Sequence, residues 1–319
     1  MLTPYPEITP YRSGSIDIDE THLLHFDETG NPEGLPVFVL HDGPGGGSDA
    51  FHRRLFDAER FRIIQYDQRG CGRSLPLADM EHCQVSEAVS DLRMLMSRLE
   101  LEKVSVVGFG WGARIASELC KATPDLVNGL ILCGYGFCGR ESMEWLLEYG
   151  APKLFPDYYQ ELVQRLGNGS SDALMQALEK MLLGANELDQ IQAAKAWAKW
   201  LAKISTLHCQ AHLVDQYSHP HYAISLAKLG VTVFKRLSEM PAEDSGIPES
   251  VASTIVHGRY DAVTPLESAH SLHRQSPGSE LVVVRDAGHS PHDPAMTDVM
   301  IKVIGQMADR LGGYGKLNG

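Results

Sequence analysis

The chain has 319 residues, 43% of them hydrophobic, enough to bury a large core in one or two domains. A formal net charge of -13 with no Lys/Arg run argues against a phosphate backbone as partner, so no nucleic acid is expected. The first ten residues lack the basic and apolar stretches of a secretion signal, and no apolar run approaches the roughly 18 residues of a membrane span. Six cysteines without C-x-x-C spacing suit reduced thiols better than a disulfide frame or zinc site. A cytoplasmic protein with no membrane attachment is therefore expected, most simply one α/β domain carrying an insertion.

In chain order, residues 1–35 are rich in turns, with a hairpin expected over 15–26 and a break at E-T-G-N-P-E-G. Residues 36–40, P-V-F-V-L, are a short apolar run of the kind that forms a buried parallel strand. It ends in His41-Asp42-Gly43-Pro44-Gly45-Gly46-Gly47, too rich in glycine for helix or strand. Such a loop brings backbone N–H groups against a ligand or serves as a plain tight turn. Residues 62–66, R-I-I-Q-Y, make a second buried strand, closed by a structural corner, D-Q-R-G-C-G-R-S, in which Asp67 and Arg69 can pair. An amphipathic helix follows over 87–99, with Ser86 as its expected N-cap.

Residues 104–113, V-S-V-V-G-F-G-W-G-A, run from an apolar strand through a glycine-rich turn into a helix expected over 111–122, and the strand G-L-I-L-C follows at 129–133. Strands alternating with helices imply an α/β fold with a doubly wound, mostly parallel sheet, whose ligands bind beyond the strands' carboxyl ends. From about 139 to 240 the alternation stops, and helical patterns follow one another over 142–149, 158–166, 173–183, 189–204 and 219–229. A helical insertion between two sheet halves is expected to form a lid over the site. The sheet resumes at 253–256, followed by H-G-R-Y-D, and a last strand at 280–284 leads into D-A-G-H-S and a closing helix at about 297–311. The expected organisation is a first core part at 1–138, a helical cap at 139–240 and a second core part at 241–319.

The turn at 108–112 has the frame of a nucleophile elbow, G-x-S-x-G, with Gly110 where the Ser would stand. Downstream, Asp261 follows one strand and His289 the next, the hydrolase order of nucleophile, acid and His. In that arrangement the Asp holds the imidazole tautomer and the His serves as general base. The backbone N–H groups of Gly43 and Trp111 are the expected oxyanion donors. Cys133 is a weaker alternative nucleophile, since a buried Cys is commonly a small hydrophobe. His208 and His212, at helical i, i+4 spacing, with His219, His221 and Asp215, make only a weak metal cluster. No metal and no cofactor are expected.

Over nearly its whole length the chain resembles the proline iminopeptidase family of α/β-hydrolases. The resemblance rests on Y-P-E-I-T-P near the start, H-D-G-P-G-G-G at His41, D-Q-R-G-C-G-R-S at Asp67, G-F-G-W-G at Gly108, A-A-K-A-W at Ala193, H-G-R-Y-D at His257 and A-G-H-S at Ala287. It implies an α/β-hydrolase fold with a helical cap, and cleavage of an N-terminal proline by a Ser-Asp-His triad while the cap holds the substrate's amine. Against the family pattern, Gly110 stands at the Ser and Asp42 is the second residue of the H-G-G-P-G loop. Leu201, after Trp200, and Gly230 stand at the two amine-binding Glu positions, and Cys133 at an Arg. Trp197, Trp200 and Tyr222 are expected to line or pack the cap.

Loss of a triad Ser costs about 10⁶-fold in kcat in a comparable hydrolase. Loss of an acidic partner for a buried ammonium adds about 2 to 5 kcal/mol. An Asp beside a developing oxyanion opposes its charge. The substitutions together indicate a protein that is no longer an aminopeptidase and that binds, or transforms through His289 and Asp261, a small apolar molecule under the cap. Asp42, Cys133, Trp200, Leu201 and Gly230 are its expected contacts. The sequence leaves open a non-catalytic ligand sensor or scaffold, a prolyl aminopeptidase whose Ser was changed to Gly110, and monomer or homo-oligomer.

Overall fold

The computed structural model describes residues 1–239 and 246–313. Its strands are β1 (Arg12–Asp17), β2 (Leu23–Gly30), β3 (Leu35–Leu40), β4 (Phe61–Tyr66), β5 (Val104–Phe109), β6 (Val127–Cys133), β7 (Ser253–Gly258) and β8 (Ser279–Val284). They form one sheet in the order β1-β2-β4-β3-β5-β6-β7-β8. The β1–β2 and β2–β4 pairs are antiparallel and the remaining pairs parallel.

Parallel strands buried on both faces need apolar residues at consecutive positions, and β3 and β4 show why. Val37, Val39 and Ile63 enter the core on one face of the sheet, while Phe38, Leu40 and Ile64 enter the core on the other. The first core is closed by α12 (Pro294–Gly313), through Met296, Met300, Ile304 and Met307. The second is closed by α2 (Val85–Arg98) and α3 (Trp111–Ala122). α1 (Ala50–Arg53) follows the glycine loop, and α11 (Leu266–Gln275) lies between β7 and β8.

Between β6 and β7 the chain is helical. It passes through α4 (Arg140–Glu144), a π-helical turn at Trp145–Tyr149, α5 (Ala151–Leu154), α6 (Pro156–Leu166), α7 (Ser171–Leu182), α8 (Glu187–Ile204), α9 (Ala211–Tyr217) and α10 (Pro220–Glu239). The boundary expected at 240/241 lies outside the described residues.

Several local expectations change. α10 continues ten residues past the expected end at 229, straight through Gly230. Burial of Val231, Val233, Phe234 and Leu237 outweighs the roughly 1 kcal/mol that a mid-helix Gly costs. α2 begins at Val85, so Ser86 lies inside its first turn and the cap is Gln84, whose N–H donates to the Glu87 carboxylate at 3.0 Å. Asp67 and Arg69 do not pair. Arg69 makes a two-pronged contact with Asp91 at 2.7 and 2.8 Å, and Asp67 accepts from the Ser48 and Arg73 N–H groups. α1, α5, α9 and α11 carry no strong periodicity and were not expected. No helix among the described residues is long and apolar enough to cross a membrane.

Candidate active site

β3 and β5 are neighbours in register, Leu40 opposite Gly108, so the loop after β3 lies beside the turn after β5. Gly110 stands at the apex of that turn with φ +50°, in the left-handed region, and its N–H donates to the Cys133 carbonyl at 2.9 Å. It also begins α3, whose first N–H, that of Trp111, points into the site. The turn thus has the strained geometry of an elbow, and a glycine relaxes it.

The acid and the imidazole meet as their spacing suggests. Asp261 follows β7, and its Oδ1 accepts from the N–H groups of Val263 and Thr264 at 2.9 and 2.8 Å. Its Oδ2 lies 2.7 Å from His289 Nδ1 and accepts from the Thr264 hydroxyl at 2.9 Å. The His289 loop is tied to the end of α8, because the His289 and Ser290 N–H groups both donate to the Ser205 carbonyl, at 2.9 and 2.7 Å. Gly134, after β6, leaves room for the ring: a Cβ there would lie 2.9 Å from His289 Cε1.

The Asp42 carboxylate points into the centre of the site. Oδ1 accepts from the Gly43 N–H at 2.7 Å and from the Trp111 N–H at 2.8 Å, the two expected oxyanion donors. Oδ2 lies 3.0 Å from His289 Nε2. A Cβ at position 110 would overlap Asp42 Oδ1 and Cγ. One carboxylate therefore fills the oxyanion hole and the space in which a side chain at 110 would begin. The loop is held from behind: His41 Nδ1 donates to the Asp42 carbonyl at 2.7 Å, and the Gln68 N–H donates to His41 Nε2 at 3.0 Å.

The charges follow from this geometry. A carboxylate on each ring nitrogen requires a proton on each, so His289 is held as an imidazolium. Burial pulls its pKa down, but the charges of Asp261 and Asp42 outweigh burial and push it up to about 10. Burial alone would raise the Asp261 carboxyl; His289, His257 and the Thr264 N–H hold it below the usual range instead. At neutral pH His289 is thus protonated, and it becomes a base only after giving that proton up.

Two small cavities flank the Asp42–His289 contact. One, about 20 Å³, lies under the helical segment and is lined by Phe137, Trp197, Leu201, Tyr217, Tyr222, Leu226, Gly230 and Phe234. The other, about 30 Å³, is bordered by Gly110, Asp49, His52, Gln216, Tyr217, Tyr222 and His292. Each has room for about one or two waters. A larger cavity, about 430 Å³, lies away from this chemistry, between α2, α3 and α10 with Trp111 in its wall.

Leu201 and Gly230 thus lie beside Asp42 and His289, whereas two other expected contacts do not. Trp200 faces a separate crevice beside Tyr158 and Lys203. The Cys133 side chain lines neither cavity and packs with Val107, Phe109 and Val256 in the core on the α12 side of the sheet; burial, with the charges of Asp261 and Asp42, pushes its thiol far up, so it offers no thiolate. His208 precedes α9 while His212 lies on it, so the two do not share a helix. Thr264, Gln68, Gly134 and Tyr217 were not expected here. Thr264 alone left a readable signal, three residues after Asp261 in D-A-V-T, where a turn hydrogen bond to the acid is favourable.

Residues 36–295 match the alpha/beta hydrolase fold family. A proline iminopeptidase of Xanthomonas citri is 34% identical over 307 residues, covering 95% of this chain and 98% of that protein. A proline iminopeptidase of Arabidopsis thaliana is 34% identical over 319 residues, covering 97% of this chain and 83% of that protein. Among solved structures, a proline iminopeptidase-related protein from Thermus thermophilus superposes with a TM-score of 0.64 at 22% identity, covering 93% of this chain and 98% of that one.

Proposed function

The chain belongs to the proline iminopeptidase family of the α/β-hydrolase fold, and from that premise we propose that its site has left serine-peptidase chemistry and serves a small, mostly apolar molecule enclosed by the helical segment as by a cap. The observation that carries this reading is the Asp42 carboxylate on the N–H groups of Gly43 and Trp111. Acyl transfer by a Ser needs that hole free for the substrate's carbonyl oxygen. Here it is filled by a negative charge of the protein's own, and no hydroxyl stands at Gly110.

The cavity wall supports the same conclusion. Leu201 and Gly230 face the space where an N-terminal ammonium would need acidic partners, and neither carries charge. The remaining chemistry is proton transfer by His289, positioned by Asp261, next to an apolar chamber. A ligand sensor without chemistry is the second reading, favoured by the small size of that chamber, about 20 Å³. Equal ligand affinity and identical products for wild type and His289→Ala would select it.

A prolyl-arylamide assay with a fluorophosphonate labelling experiment tests the proposal. Wild type is expected to give neither turnover nor label. Turnover at ordinary family rates, abolished in His289→Ala, would sink it.

A further inference from the structure

The two cavities beside Asp42 differ in a way that suits a two-step reaction. The chamber under the helical segment is walled by Phe137, Leu201, Leu226 and Phe234, and it contains one donor without a partner, the fully buried Trp197 indole N–H. Gly230 keeps the space at that donor open, since a Cβ there would lie 3.3 Å from Trp197 Nε1. The chamber beside Gly110 is the more polar of the two, with Asp49, His52 and His292 in its wall. Asp42 and His289 border both. An unpartnered buried donor in the wall of an apolar space that a carboxylate also borders marks where an acceptor atom of a ligand would sit.

Resting on the reading above, we propose that Asp42 is the nucleophile of this site, and that it opens a small apolar epoxide held in the Trp197 chamber through an ester that water from the polar chamber then hydrolyses. Carboxylates serve as covalent nucleophiles toward saturated carbon, as in glycosidases, and toward phosphorus. Asp42 is set for that role, with Oδ1 fixed by two N–H groups and Oδ2 left beside His289. An epoxide matches the far wall, because its ring oxygen needs hydrogen-bond donors as it leaves, and the Trp197 N–H and the phenols of Tyr217 and Tyr222 line that chamber. The chamber must widen to admit the ring, because as it stands, about 20 Å³, it has room for little more than one water.

In the first step Asp42 Oδ2 forms a bond to a ring carbon as that carbon's bond to the ring oxygen breaks. The alkoxide, stabilised by the Trp197 N–H, takes up the proton of the His289 imidazolium. Asp42 is now a neutral ester and His289 a neutral base. In the second step a water gives a proton to His289 as its oxygen bonds to Asp42 Cγ. The negative charge gathers on Oδ1, already on the N–H groups of Gly43 and Trp111, where an oxyanion is best stabilised. Collapse breaks the bond from Cγ to the alkylated oxygen. The departing diol takes the proton from His289, the new carboxylic acid returns one, and the sum is epoxide plus water to diol.

A single turnover of wild-type protein in excess over styrene oxide, run in oxygen-18 water, tests the proposal by mass spectrometry. The first diol should carry the protein's own oxygen, and the peptide containing Asp42 should gain the label. Asp42→Asn should slow diol formation at least about a thousandfold, on the scale of losing a triad nucleophile. His289→Gln should accumulate an adduct of substrate mass, and Trp197→Phe should slow adduct formation about a hundredfold. Label in the diol with none in the peptide means direct attack by water and overturns Asp42 as nucleophile, while leaving the His289 chemistry above in place. Neither diol nor adduct, with styrene oxide or the smaller propylene oxide, overturns the proposal outright. Turnover of prolyl arylamides is the separate result that removes the reading beneath it.

Discussion

Two glycine-rich turns at the carboxyl ends of neighbouring strands, one after β3 and one after β5, differ in what they bring into the site. The turn after β5 has the positive φ and helix start of an elbow, yet presents only Gly110. The turn after β3 carries Asp42, whose carboxylate reaches across to the N–H of Trp111 and to His289. The two changes are complementary in volume, because a Cβ at 110 and the Asp42 carboxylate would occupy the same space. Neither residue can be interpreted without the other: Gly110 by itself looks like a loss, and with Asp42 it is the space that a second group fills.

The largest effect is expected from breaking that complementarity. Gly110→Ser imposes a left-handed backbone on a non-glycine residue and drives its Cβ into Asp42, with an expected loss of about 2 to 5 kcal/mol in denaturant unfolding. Adding Asp42→Gly should restore more than half of that loss, and a double-mutant cycle should show strong non-additivity. Additive behaviour would mean that the two turns are independent.

A second test concerns charge. The His289 pKa is raised from 6.5 to about 10, so its stabilising contribution is complete below pH 6.5 and is lost as pH rises through about 10. Wild-type stability should therefore fall across that window, by up to about 1.4 kcal/mol per pH unit from this group. Asp42→Asn removes one of the two carboxylates, lowers the His289 pKa in an NMR titration and narrows the window. An unchanged His289 titration in Asp42→Asn would separate the two groups.

The smallest effect sharpens the comparison from the side of the helical segment. Trp197→Phe removes a buried N–H that has no partner, which offsets the lost packing, and stability should change by no more than about 1 kcal/mol. A loss beyond about 3 kcal/mol would mean that lost packing outweighs relief of the unpartnered N–H.

Much of the site was legible because its signals are local. The apolar run at 36–40 and the start of α3 at Trp111 came within a residue of the structure, and Asp261 and His289 meet as strand-end residues in hydrolase order should. The expected pairing of Asp67 with Arg69 failed because Asp91 on α2, 22 residues away, competes for the guanidinium. Trp200 and Cys133 were placed at the site by their sequence neighbours, but helix rotation buried one against Tyr159 on α6 and strand pleating sent the other into the core on the α12 side of the sheet.

By itself the sequence determined the strands, the glycine turns and the order of the acid and the imidazole, since strand periodicity and positive-φ positions depend on residues close in the chain. The direction of the Asp42 side chain depended on partners 69 and 247 residues away, Trp111 and His289. No local pattern encodes those distances. Only packing β3 beside β5, with the His289 loop tied to Ser205, brings two N–H donors and an imidazole to one carboxylate, and that convergence decides which proton sits where.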